Sequence, residues 1–258
     1  MPAWSVSAFT HRGLVRPMNE DAITVDAEIL TGDMDKPRQF GVTASNCLLM
    51  IADGMGGHAQ GALASKTVLD HLIADADRLS HPESCYDAIE AANEHLFAMM
   101  PERPESSGMG TTLAGVLLSS DALVMFNVGD SRCYRFGPGG LAQLSHDDVA
   151  IAAKNPSGHR RSHAITQCLG GSPFFMPVVP HVKADVPLTY GETILLCSDG
   201  LTDLVQDQDI ASILSDASDC IQAVRNLVAA ALQAGGADNL SIVAARAVNS
   251  FPASNPEI

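Results

Sequence analysis

Four aspartates stand at the ends of apolar runs, each beside glycine or a small polar residue. Asp53 closes LLMIAD before GMGGH, Asp130 follows MFNVG, Asp199 follows TILLCS, and Asp238 precedes NLSIV. A carboxylate at the mouth of a buried strand is costly unless something positive meets it. Four such sites scattered along one chain are expected to converge on a shared cation, and hard oxygen ligands suit Mg²⁺ or Mn²⁺.

The rest of the composition fits a globular chain with room for that centre. The chain has 258 residues, 46% of them hydrophobic and 17% charged, and the default is one domain with one sizeable core. A formal charge of −15 argues against nucleic acid and anionic membranes as non-specific partners, and it fits cation binding. Cys47, Cys133 and Cys197 lie in apolar runs and no pair has CxxC spacing, so free thiols in a reducing compartment are expected rather than disulfides. No apolar run approaches the ~20 residues that cross a bilayer, and residues 1–13 lack the pattern of a signal peptide. The expectation is a cytoplasmic protein without membrane insertion.

Alternation of apolar and polar residues predicts strands over 4–10 and 22–26, and the continuous apolar run at 47–52 predicts a strand covered on both faces. Helical spacing predicts helices over 62–74 and 84–100, ending at Pro101. Strands are predicted at 112–118, 123–128, 133–136, 141–144, 178–185, 193–198 and 240–247, and helices at 207–214 and 219–234, the last stopped by Gly235 and Gly236. Residues 146–171 lack periodicity and carry Lys154, Arg160 and Arg161, so they read as a surface loop or flap-like segment; residues 251–258 read as a tail. Neighbouring strands with grouped helices predict an α+β layered domain over residues 1–250 with largely antiparallel sheets.

The bend at Asp53-Gly54-Met55-Gly56-Gly57-His58 admits two readings. Its glycines formally match a dinucleotide fingerprint, which calls for a second strand ending in an acid about 20 residues on. The residues at that distance, around Asp75 and Asp77, read as the end of a helix. Alternatively Asp53 ligates metal, and the glycines let main-chain carbonyls approach the ion.

Taken in order, several segments are similar to the metal-dependent protein phosphatases (the PPM or type 2C serine/threonine phosphatase family) in their compact bacterial form. They are residues 13–21 with Arg16, Asn19, Glu20 and Asp21; 53–58; Met109-Gly110-Thr111-Thr112; Gly129-Asp130-Ser131-Arg132; 165–170; 198–203; and Asp238-Asn239. Taken alone, Asp130-Ser131-Arg132 also reads as a turn between strands, Glu20-Asp21 as a solvated corner, and Arg16 as a surface charge.

The resemblance implies a four-layer α-β-β-α sandwich of two antiparallel sheets flanked by helix pairs, with two Mn²⁺ or Mg²⁺ ions at one end. It implies that Asp53 bridges both metals, that Gly54 offers a main-chain carbonyl to one, and that Asp199 and Asp238 ligate the second. Glu20 and Asp21 would act mainly through water, Asp130 with Asp199 would hold a third, weaker metal, and Arg16 would bind the substrate phosphate. The implied reaction is hydrolysis of phosphoserine or phosphothreonine by direct attack of a metal-bridging water or hydroxide. The partners would then be phosphorylated proteins, either substrates of a serine/threonine kinase or the kinase itself. Two metals about 4 Å apart lower the pKa of such a water and neutralise the phosphoryl oxygens. A catalytically silent binding module of the same fold is the other reading, although every expected acid is present.

Three departures from the family pattern stand out. Met55 occupies the position of the eukaryotic branch's proposed general acid, which leaves His58 and water as candidates for that role. Asp148 stands where the family has histidine in a Leu-Thr-x-Asp-His segment, and Gln167 where relatives often have arginine.

Overall fold

A strand buried on both faces has to be apolar at every position, and its odd and even side chains enter different cores. The computed structural model, which describes residues 3–56, 59–100, 108–150 and 164–248, has this arrangement. In β5 (Asn46–Ala52), Cys47, Leu49 and Ile51 join one core cluster, while Leu48, Met50 and Ala52 join another. The same split occurs in β14 (Thr193–Cys197), where Ile194 and Leu196 face one way and Leu195 and Cys197 the other. Full burial of such a side chain is worth about 1.5–3 kcal/mol.

Two six-stranded sheets result. One runs β11 (Gly140–Gln143), β10 (Arg132–Gly137), β14, β15 (Leu240–Val248), β1 (Ala3–His11), β4 (Arg38–Thr43). The other runs β13 (His181–Asp185), β9 (Leu123–Val128), β8 (Leu113–Ser119), β5, β2 (Ala22–Val25), β3 (Glu28–Thr31). Among the described residues every ladder in them is antiparallel. The middle core, with Val6, Ile23, Leu49, Val116, Leu196 and Val243, lies between the sheets.

Helices α1 (Ala59–Ala74) and α2 (Pro82–Met99) cover the second sheet through Leu69, Leu72, Ile89 and Leu96, which pack with Met50 and Phe126. Helices α4 (Asp207–Asp216) and α5 (Cys220–Gln233) cover the first through Leu214, Val224 and Leu227, which pack with Leu195 and Ile242. This is the expected α-β-β-α order. Asp219 caps α5 by accepting from Gln222 N at 2.8 Å. Among the described residues no helix is long and apolar enough to cross a membrane. All six cysteines are free.

The structure corrects several boundaries. Edge strands β3 and β4 escape the sequence pattern because most of their residues are exposed or only half-buried, which leaves no apolar periodicity. Helix α1 begins at Ala59 rather than 62, and β13 at His181 rather than 178. The loop read over 146–171 contributes β12 (Leu169–Gly170), which pairs with β7 (Gly110–Thr111), itself paired with β6 (Gly54–Met55). This third, three-stranded sheet holds Asp53's neighbours in place. Residues 151–163, with their basic side chains, and the tail at 251–258 lie outside the described residues.

Candidate metal centre

Each acid enters the site from the end of a strand or the first turn beyond it. Asp53 follows β5, and its backbone is held on both sides. Its N donates to Thr112 Oγ1 at 3.1 Å, and its carbonyl accepts from Thr112 N and Thr111 Oγ1, both at 2.9 Å. Asp199 opens α3 (Asp199–Thr202) directly after β14. Asp238 precedes β15, Asp130 lies in the turn between β9 and β10, and Glu20-Asp21 lead into β2.

The segment carrying Arg16, Glu20 and Asp21 is docked on the turn carrying Asp238, and Asn239 makes most of the junction. Its Oδ1 accepts from Glu20 N at 2.8 Å, while Nδ2 donates to Met18 O at 2.9 Å and Arg12 O at 3.2 Å. Leu14 N donates to Gly236 O at 2.7 Å beside it. Gly13 sits at φ +76°, and a Cβ there would fall 2.2 Å from Asp238 O, so only glycine permits the close approach. Arg16 reaches the cluster by donating to Asp238 Oδ2 at 2.6 Å, with its side chain 55% exposed.

Asp21 is 1% exposed and sits in a hydroxyl network. Ser198 Oγ donates to its Oδ2 at 3.0 Å, and Ser241 N donates to Ser198 Oγ at 3.0 Å. Burial nevertheless raises Asp21 to about 6, opposed by the nearby Ser241 and Ser198 hydroxyls and reinforced by the charge of Asp238. Burial, then the charges of Asp21, Asp199, Asp130 and Asp238, hold Asp53 well above the usual carboxylate range. Asp199 is pushed the same way by burial and then by Asp130, Asp238, Asp203 and Asp21.

Glu20 and Gly54 meet at the start of α1. A Cβ on Gly61 would lie 2.8 Å from Glu20 Oε2 and 2.9 Å from Gly54 O, so both oxygens border one small space that glycine leaves open. Asp130 borders a second space, a cavity of about 30 Å³ large enough for one water, together with Arg132, Asp147, Asp199 and Asp203. Burial, then Asp147 and Asp203, raises Asp130 to about 6. His58 and Gly57 lie outside the described residues.

The donor set fits divalent ions. Asp21 Oδ1 and Asp199 Oδ1 are buried polar atoms without a hydrogen-bond partner, which is costly unless a cation or its bound water meets them. Carboxylates that suppress one another's ionisation, with oxygen as the only donor type, match Mg²⁺ or Mn²⁺. The dinucleotide reading of the Gly54 loop is overturned. Gly54 and Met55 are a strand in an antiparallel ladder, while Asp75 lies between α1 and a 3₁₀ turn at Ala76–Ser80 and Asp77 lies within that turn, so neither stands at a strand end.

Sequence reasoning placed Ser198, Asp203 and Asn239 in matched segments but gave them no role, and it missed Ser241. Asp203 had a readable signal, since its spacing from Asp199 is that of one helical turn, and Asp203 N donates to Asp199 O at 2.8 Å.

Comparison with known proteins identifies the family. The serine/threonine protein phosphatase PstP of Mycobacterium tuberculosis is 32% identical over 258 residues; the match covers 94% of this chain but 45% of that protein, so this chain spans less than half its length. The serine/threonine phosphatase stp of Listeria monocytogenes is 27% identical, covering 91% of this chain and 92% of that one. The crystal structure of the PstP catalytic domain in complex with two manganese ions is similar at a TM-score of 0.76 and 31% identity, covering 96% of this chain and all of that one. The protein phosphatase 2C family model matches residues 35–234, and the chain belongs to that family.

Proposed function

We propose that this chain is a metal-dependent serine/threonine protein phosphatase, with residues 1–250 acting as one catalytic unit and the carboxylate cluster as its centre. The observation that carries the reading is the pair of orphaned oxygens, Asp21 Oδ1 and Asp199 Oδ1, in a cluster of acids that also receives the Arg16 guanidinium. Family membership supports the reaction class.

In this reading Asp53, the Gly54 carbonyl, Asp199 and Asp238 hold two Mn²⁺ or Mg²⁺ ions, and Asp130 with Asp199 serves a third, weaker position. Bound there, the ions supply Lewis acidity toward the phosphoryl oxygens and bring the pKa of water from about 15.7 to about 7. The chain's own residues do the positioning. Asp53 is set by the Thr111 and Thr112 contacts of its backbone rather than by the ions. Glu20 and Asp21 act at one remove, with Ser198 and Ser241 stabilising the charge of Asp21. Arg16 uses one donor on Asp238; a guanidinium has five, so others remain to grip two phosphoryl oxygens in a planar fork. His58 is the candidate donor of a proton to the leaving alkoxide. Its test is His58→Gln, which should flatten the alkaline limb of the kcat profile, and an unchanged profile assigns the proton elsewhere.

The substrates are phosphorylated proteins, made by a serine/threonine kinase or being that kinase, in the cytoplasm. The net charge of −15 supports a cation-dependent enzyme over one that binds nucleic acid. The test is phosphate release from a phosphothreonine peptide by chelator-stripped protein, with and without Mn²⁺, alongside Asp199→Asn. Release that needs Mn²⁺ and disappears in the variant is expected; equal release in all arms excludes the reading.

A further inference from the structure

Beyond the Asp130 turn, three side chains of metal-ligating type meet at a place the phosphatase reading does not use. His146 and Asp148 follow β11, and His181 opens β13. His181 Nε2 lies 2.9 Å from Asp148 Oδ1, and the imidazoles of His146 and His181 stand 4.6 Å apart between centres, tilted by 34°. One donor atom from each of the three falls within 4.8 Å of the other two.

The surroundings hold each group in place. Asn127 clamps the His146 backbone, accepting from His146 N at 3.1 Å and donating to its carbonyl at 2.7 Å. Asp148 N donates to Gly129 O at 2.9 Å. The second carboxylate oxygen of Asp148 is committed elsewhere, accepting from Gly129 N at 2.9 Å and Gln167 Nε2 at 3.0 Å. Gln167 is in turn clamped by Val179, whose N donates to Gln167 Oε1 at 2.7 Å. An outer partner that ties one carboxylate oxygen and leaves the other facing imidazoles is the usual support of a metal ligand. A single hydrogen bond accounts for His181 and Asp148, but not for a second imidazole beside the first.

We propose that His146, Asp148 and His181 bind a transition-metal ion of the Zn²⁺ class through two imidazole nitrogens and one carboxylate oxygen, with an outward position left to water. Two imidazoles favour such an ion, whereas the oxygen-only donors around Asp53 favour Mg²⁺ or Mn²⁺. Ligands at about 2.0–2.1 Å from zinc lie about 3.3 Å from one another in a tetrahedron. His181 and Asp148 are near that spacing already, and exposed His146, within 4.8 Å of both, would close the remaining gap by a side-chain rotation. The ion would sit beside the junction where Val149 pairs with Ile165 and Ala150 N donates to Ala164 O at 2.9 Å. The proposal does not depend on phosphatase activity.

The test adds Zn²⁺ alone to metal-stripped protein, using Asp53→Asn/Asp199→Asn to weaken the oxygen centre. Equilibrium dialysis with elemental analysis is expected to find one tightly held zinc per chain in that background. Adding His181→Ala should remove it, and Gln167→Ala should weaken it by roughly 10–100-fold, as loss of an outer partner does. X-ray absorption of the bound zinc should show imidazole scattering. Melting curves without zinc check that His181→Ala and the milder His181→Gln are folded. No tightly held zinc, zinc unaffected by either His181 variant in folded protein, or zinc without imidazole would each overturn the proposal.

Discussion

Arg16 donates through Nη2 to Asp238 Oδ2 at 2.6 Å, joining a phosphate-gripping type of side chain to a candidate metal ligand. The pair is partly exposed, 55% and 35% by side chain, so its own contribution to stability is small. Its value lies in holding positive charge at the acidic cluster, where Asp199 and Asp53 also raise the guanidinium's pKa after Asp238 itself. Arg16→Ala is therefore expected to leave the melting temperature nearly unchanged. A lost charge-assisted contact of about 1.5–3 kcal/mol corresponds to roughly 10–100-fold in kcat/KM, mostly as a higher KM for phosphopeptide. Arg16→Lys should recover part, since it restores the charge without the fork. An unchanged KM in Arg16→Ala means that Arg16 is only a surface charge.

The buried acids set a pH dependence whose sign is unusual for carboxylates. Asp21 and Asp130 are raised to about 6, so between about pH 4 and 6 the folded protein holds protons that the unfolded chain has released. Their contribution to stability is greatest below that window and declines as pH rises through it. In chelator, the wild-type melting temperature measured against Asp21→Asn should therefore fall from pH 4 to 6 and level off above. Mn²⁺ should reverse the trend, because metal binding releases those protons and strengthens with pH. A wild-type advantage over Asp21→Asn that grows with pH in chelator contradicts the assignment.

Asn239 links residues 12–20 to the Asp238 turn through three side-chain hydrogen bonds, to Arg12, Met18 and Glu20. At about 0.5–1.5 kcal/mol net each, Asn239→Ala should cost roughly 2–4 kcal/mol of stability. It should also raise the Mn²⁺ concentration for half-maximal activity, because Asp238 and Glu20 lose their common register. Asn239→Asp keeps the acceptor and loses both donors, so it should fall between. Metal titrations of the three proteins check this, and an unchanged Mn²⁺ requirement in folded Asn239→Ala would reduce Asn239 to a packing role.

Legibility in the sequence followed burial. Runs such as 47–52 and 194–197 are apolar at every position because both faces meet a core, so their strands and the attached Asp53 and Asp199 were readable. Strands Glu28–Thr31 and Arg38–Thr43 lie at sheet edges with few buried residues and left no period to read. Asp53, Asp199 and Asp238 announced themselves by standing against apolar runs. Asn239 and Ser198 did not, because a polar residue beside an acid gives no hint of partners some 180–220 positions away. His146 and His181 likewise become neighbours only through the pairing of β13 with β9 and the clamp of Asn127.

The most direct test of the central claim is a crystal grown with Mn²⁺ and measured at the manganese absorption edge. Anomalous peaks are expected between Asp53, Asp199 and Asp238, one of them against the Gly54 carbonyl, with Asp21 behind. A well-ordered crystal with these carboxylates arranged as described and no manganese among them would contradict the claim.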